Sequence, residues 1–302
     1  MSTTPAPANE SRLTLRLLQH VRACSPRRAR ETGETITARD DVQVTRLAFR
    51  DGHVVPGTTV TGLRITPHDP EPAPELLACL EGTPVGGSCM ISTLQPPDAS
   101  TPDLPHHPLH WVLQVEAAWD VDERTGDDPL VLEQSGCDSL DALVEQLQGE
   151  LEAEDLAQAE ADAEQETLEH LLSETPVQVT DAAIDEEISA RFHLSEAPQL
   201  TRLGCPETEQ QWVLEQHLAD AGRRADAGRR LRATQLLEQK AQELEISVGD
   251  LEVEEYVRQL AMAAGGDGAG AWEEVKSREP IRTALEKLLR QQMVMEMTSV
   301  ER

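Results

Sequence analysis

The sequence predicts a small α+β domain followed by an all-α multi-helix region, with helix predominating across its 302 residues. Three observations lead there. Short apolar runs punctuated by Gly and Pro occupy residues 33–126. Apolar spacings of three and four begin after Asp127 and recur to the end of the chain. Aromatic residues make up only 2%, although hydrophobic residues reach 38% through Leu, Ala and Val. Such residues pack well between helices but cannot line many aromatic pockets.

The elements follow in order. Residues 1–10 are rich in Pro, Ala and Ser and are expected to be disordered. Arg12 to Cys24 carries Leu13, Leu15, Leu17, Leu18 and Val21, which predicts a short helix inside an N-terminal tail of residues 1–32. Thr35, Ile36, Val42, Val44, Leu47 and Phe49 read as β structure, with Arg50-Asp51-Gly52 as a turn. The run ITPHDPEPAPELLACLEG is a loop into a short helix, SCMISTL is a strand, and Gln95 to Pro108 is a Pro-rich loop. HWVLQVEAAWDV closes the domain of residues 33–126 as a strand, with Trp111, Leu113 and Val115 on one face.

Residues 127–302 form the helical domain. Asp138 is the expected cap of a helix carrying Leu140, Leu143, Val144, Leu147 and Leu151, which runs on to Leu172 and spans about 50 Å at 1.5 Å per residue. Pro176 stops it, VQV is extended, and Thr180 or Asp181 caps a helix with Ile184, Ile188 and Phe192. A third helix is expected from Pro206 to about Leu244, a fourth after ISVGD, broken by GGDGAG, and a last one holding Ile281, Leu285, Leu288, Leu289 and Met293.

Charge and cysteines narrow the function classes. The chain has 56 acidic and 26 basic residues, a formal charge of -30, which disfavours nucleic acid and anionic membranes as partners. No apolar run approaches the ~20 residues of a membrane span, and the N-terminus lacks a signal-peptide pattern. Cys24, Cys79, Cys89, Cys137 and Cys205 are scattered and never in CxxC spacing, so they read as reduced thiols of a cytoplasmic protein.

Several residues invite sharper readings. His106, His107 and His110 are clustered, but flanking prolines and the lack of a fourth ligand favour a solvated loop over a metal site. Thirteen carboxylates and no Lys or Arg lie between Asp138 and Glu174. Against them stands a repeated DAGRR carrying Arg223, Arg224, Arg229, Arg230 and Arg232, better read as pairing with that acidic helix than as a nucleic-acid site. Gly222 and Gly228 in this run mark close packing or a bend. Met293, Met295 and Met297 suit an adaptable apolar surface.

The order of several motifs resembles the C-terminal domain of bacterial trigger factor. DDPLVLEQSGCDSLDALVEQL is similar to the leucine-rich entry of that domain. VQVTDAAIDEEI resembles its extended step followed by a helix start at Ile184, Asp185, Glu187 and Ile188. LLEQKAQELEISVGDLEVEEYVRQLA and WEEVKSREPIRTALEKLLRQQMVMEM resemble its later helices. Residues 33–126 in turn resemble a degenerate FKBP-type prolyl isomerase domain, through the Asp51-Gly52 turn, Leu80, Gly82, Val85 and Gly86, and the closing strand. The expected remains of its pocket are Phe49, Asp51, Leu76 and Trp111, with too few rings to cradle proline. The family's ribosome-binding domain and its G-F-R-x-G-x-x-P loop have no counterpart in residues 1–32.

The resemblance implies an ATP-independent chaperone that holds unfolded, nascent or partly assembled proteins, with no stable ribosome docking, no catalytic residue, no metal and no cofactor. Its contacts would fall on Leu140, Leu143, Leu147, Leu151, Ile184, Ile188, Phe192, Leu285, Leu289 and Met293. A prolyl isomerase with a helical appendage and a dedicated assembly adaptor for one partner are the alternatives.

Overall fold

The computed structural model describes residues 6–69, 73–94 and 108–300. His106, His107 and nearly all of the Pro-rich loop lie outside them. By contact the chain divides into two compact units. One takes the described residues of Met1–Asp155 together with Ser189–Ala219; the other takes those of Leu156–Ile188 and Asp220–Arg302. The expected divisions at 32/33 and 126/127 do not coincide with this partition, because distant helices join the sheet.

The first unit is built on an antiparallel sheet. Its strands are β1 (Arg27–Ala29), β2 (Asp41–Arg50), β3 (His53–Val54), β4 (Val60–Ile65), β5 (Ser88–Leu94) and β6 (Pro108–Val121). The order β1-β6-β2-β3 forms the path, with β4 also on β2 and β5 also on β6. Strand alternation sends Val42 and Val44 of β2 and Leu113 and Val115 of β6 to one face, where Ile36, Leu77 and Leu80 complete a buried cluster. Leu77 and Leu80 come from α2 (Ala73–Leu80). Asp51 and Gly52 both have positive φ, 53° and 86°, and join β2 to β3 as a two-residue hairpin turn. An Asp-Gly pair suits that turn because it tolerates left-handed backbone at both positions.

Helices cover the rest. The first, α1 (Ala6–Cys24), begins in the Pro/Ala-rich stretch that was expected to be disordered, well before Arg12. Its Leu13, Leu17 and Val21 pack with Val131 of α3 (Pro129–Ser135) and with Leu143 and Leu147 of α4 (Leu140–Glu174). Ser139, not Asp138, caps α4, its hydroxyl accepting from the Ala142 amide at 3.2 Å. At Gly126 a Cβ would lie 2.8 Å from Leu140 Cδ1, so a side chain there would require Leu140 to move.

The acidic α4 is 35 residues long. Glutamines relieve part of its self-repulsion: Gln146, Gln148, Gln158 and Gln165 each donate to the carboxylate four residues on, at 3.0, 2.9, 2.8 and 2.6 Å. Arg12 and Arg16 of α1 pair with Asp155 and Glu154.

The second unit is helical. It holds the start of α5 (Asp181–Arg202), α7 (Ala221–Glu243), α8 (Asp250–Ala263), α9 (Gly268–Lys276) and α10 (Glu279–Val300), with the end of α4. Two small cores support it. Leu237, Ala241 and Val294 pack with Leu168, and Val253, Val257 and Trp272 pack with Leu285 and Leu289. The single helix expected from Pro206 to Leu244 is two, α6 (Glu207–Ala219) and α7. Asp220 makes the break: in extended conformation, its carboxylate accepts from the Arg223 amide and caps α7.

Candidate functional site

Two surfaces carry the residues singled out by sequence. The first is the sheet face of the first unit. Trp111 pairs in register with Ala48, and Phe49 with His110, so strand alternation puts Trp111 and Phe49 on opposite faces. The Arg46 guanidinium lies over the Trp111 ring at 5.4 Å. Phe49 instead belongs to a cluster in which Leu47 and Val54 meet Phe192 and Leu200 of α5 and Val213 and Leu214 of α6. Leu76 packs on the α2 side of the sheet and Asp51 stays in the hairpin turn. These four side chains do not share one pocket.

Polar contacts hold α5 and α6 on that face. Glu209 accepts the Val54 amide at 2.7 Å, and Trp212 stacks on His53 with ring centroids 4.5 Å apart. Buried Glu196 accepts from the Gly57 amide at 2.8 Å and from His217 Nε2 at 2.6 Å. A carboxylate serving two donors is a strong buried anchor.

The N-terminal arginines are also tied to the sheet. Asp41, fully buried, accepts from Arg22 Nε at 2.6 Å and from Arg64 Nη2 at 2.7 Å, and Arg27 lies 3.6 Å away. Burial, and the neighbouring Arg64 charge, lower the Arg27 pKa from its ordinary value. Asp40, equally buried, binds Arg30 through two oxygens at 2.6 and 2.8 Å, and this hydrogen bonding raises the Arg30 pKa. Arg28 pairs with Glu34 at 3.2 Å. The basic run SPRRAR is therefore engaged inside its own domain.

The second surface lies in the helical unit. Val177, Gln178 and Val179 of the link between α4 and α5, Ile184 of α5, and Arg224, Ala225, Gly228 and Arg232 of α7 line an open cleft of about 430 Å³. Gly228 is buried, and a Cβ on it would meet Ile184 Cδ1 at 3.4 Å, so this glycine marks close helix packing. Gly222 instead lies in the first turn of α7. Arg224 is bound to Asp181 and Asp185, Arg229 to Glu169, and Arg230 to Glu187. The expected pairing with acidic residues is thus present, but mostly toward the start of α5 rather than along α4.

Most of the exposed large apolar side chains belong to this unit, although Leu194, 83% exposed, and Met90 belong to the first. Leu251 is 79% exposed, Met262 69% and Leu156 62%, with Leu260, Ile281, Leu288, Met293 and Met297 also open to solvent. Several residues expected to contact clients are elsewhere. Leu143, Leu147, Ile188 and Phe192 are buried; α1 and α3 supply partners for the first two, and the sheet and α6 for Phe192, which a helical period cannot identify. Leu140, Leu151, Ile184, Leu285 and Leu289 are half-buried, and Met293 is exposed. Met295 is half-buried against the Val294 cluster. Leu156, Leu251, Leu260 and Met262 went unnoticed in the sequence, since they differ from core residues only in having no neighbour. Among the described residues no cluster could hold a metal ion, and no helix is long and apolar enough to cross a membrane.

Residues 139–298 match the family model for the bacterial trigger factor protein (TF) C-terminus. That match spans more than half of the chain, and the chain belongs to the trigger factor family. Membership supports a chaperone-like role. Among solved structures, one from work on promiscuous substrate recognition in the folding and assembly activities of the trigger factor chaperone aligns with 100% of this chain and 70% of its own, at 18% identity and a TM-score of 0.34. Trigger factor domains from Thermotoga maritima align with 46% of this chain and 83% of theirs, at 20% identity and a TM-score of 0.32. No curated protein matches the chain at a significant level.

Proposed function

We propose that the protein is an ATP-independent holding chaperone for unfolded or partly assembled proteins in the cytoplasm, working without ribosome docking and without isomerase activity. The exposed Leu and Met side chains of the helical unit carry this reading. Re-burying one such side chain against a client yields at most ~1.5–3 kcal/mol before any ordering cost. Holding therefore needs several contacts at once, and release is quick. The formal charge of -30 keeps a loaded complex soluble.

Two observations support the exclusions. Phe49 is packed beneath α5 and α6 while Trp111 faces the other way, so among the described residues these two rings do not face a common space beside Asp51. The N-terminal arginines, the basic group nearest to a ribosome-docking patch, bind Asp40, Asp41 and Glu34 instead of standing free for phosphate. The test is aggregation of a chemically denatured enzyme, followed by light scattering without nucleotide. Suppression at equimolar chaperone or below is expected; no suppression at any ratio overturns the proposal.

A further inference from the structure

The link that enters α5, residues 176–180, is neither helix nor part of a sheet. From Pro176 to Thr180 the side chains alternate outward and inward, with Val177 and Val179 half-buried and Gln178 exposed. Such alternation belongs to extended chain. Among the described residues, no backbone N–H or C=O of residues 177–179 is hydrogen-bonded to another backbone group. A stretch of chain with unpaired amides and carbonyls can pair with another in the manner of strand addition.

The cleft beside this stretch supplies two further recognition elements. Ile184 and Gly228 give it an apolar floor, with Ala225 alongside. Arg232 stands at its border, exposed, with its Nε donating to the Gly228 carbonyl at 3.2 Å and with no carboxylate partner among the described residues. The neighbouring Arg224, by contrast, is neutralised by Asp181 and Asp185. One free cation at the rim of an apolar cleft complements an acidic side chain flanked by aliphatic ones.

We infer that residues 177–179 bind an extended peptide segment by strand addition, with an aliphatic side chain over Ile184 and Gly228 and an Asp or Glu on Arg232. This rests on the holding reading only for the source of the peptide, an unfolded protein chain. It assigns a mode of binding, backbone pairing with a charge preference, that dispersed apolar contacts do not require.

The test uses the full chain and a fluorescein-labelled nonapeptide of alternating Val and Thr with one central Asp, followed by anisotropy. Strand addition uses the amides of alternate residues. Peptides N-methylated at every second position in one phase should therefore bind about tenfold more weakly, a loss near 1.4 kcal/mol, while the other phase binds as before. Arg232→Glu should weaken the Asp peptide about fivefold and leave its Asn counterpart unchanged, the size expected for an exposed ion pair. Equal binding of both N-methylated phases, or an Asp peptide indifferent to Arg232→Glu, overturns the inference. Methylation is carried by the peptide, so no failure of the protein to fold can imitate it. Aggregation suppression that survives such a negative result leaves the holding reading intact; peptide binding without suppression removes that reading and keeps this one.

Discussion

The two units differ in where their apolar and charged side chains end up. In the sheet unit, both described faces of β2 are buried, one under α2 and one under α5 and α6, and fully buried Asp40 and Asp41 are matched to arginines. In the helical unit, the cores are small, ion pairs lie at the surface, and Leu251, Leu260 and Met262 of one helix, α8, face solvent. The first unit thus buries most of its apolar side chains, with Leu194 and Met90 as exceptions, and the second leaves more of them in solvent. On the function proposed above, stability belongs mainly to the first and client contact to the second.

The sharpest way to break this contrast is to attack the buried charges. Asp41→Ala leaves Arg22, itself buried, with only the longer 3.7 Å carboxylate contact to Glu123, and removes a partner from Arg64. A loss of about 3–5 kcal/mol is expected. Hydrogen exchange should show it as lost protection in β2 and β6, with α8 and α9 keeping theirs. Uniform loss across both units would show that they do not differ as argued.

Next in size is Leu147→Ala, which empties a fully buried site between α1, α3 and α4. Urea denaturation should register about 2–5 kcal/mol. The matched change Leu251→Ala, at a residue 79% exposed, should leave stability within about 0.5 kcal/mol while weakening aggregation suppression. If the two variants exchanged behaviour, the roles given to the units would be reversed.

The smallest effect concerns the thiols. Burial raises the pKa of Cys89, and burial with the nearby Glu209 charge raises that of Cys205, so at pH 8 each is less ionised than an ordinary cysteine. Cys79 is exposed. Alkylation by iodoacetamide, followed by peptide mass spectrometry, should therefore modify Cys79 well before Cys89 and Cys205. Faster labelling of Cys89 would mean that the α2 face of the sheet is open.

These predictions draw on different amounts of sequence information. Local signals survived well: Thr180 does cap α5, its hydroxyl accepting from the Ala183 amide at 3.2 Å, and α4 ends before Pro176. What sequence spacing could not supply was the partner of each apolar face. Leu143, Phe192 and Leu251 all sit at helical spacings, yet two are core and one is exposed, because only tertiary packing decides which face meets another element. Asp40 and Asp41 were hidden for a related reason. In a chain with 56 acidic residues, nothing local distinguishes the two that fold under an arginine from those that stay in water. Asp220 was likewise indistinguishable from Asp226 in the repeated DAGRR, although only the first interrupts the helix.

Methionine methyl groups offer the most direct test of the division of labour. Met262, Met293 and Met297 are exposed in the helical unit, while Met90, 67% exposed, sits on the sheet unit as an internal control. With the methyls carbon-13 labelled, an unfolded client should be titrated in and each resonance followed. The signals of Met262, Met293 and Met297 are expected to shift or broaden while that of Met90 stays unchanged. A response at Met90 with silence at the other three would contradict that division.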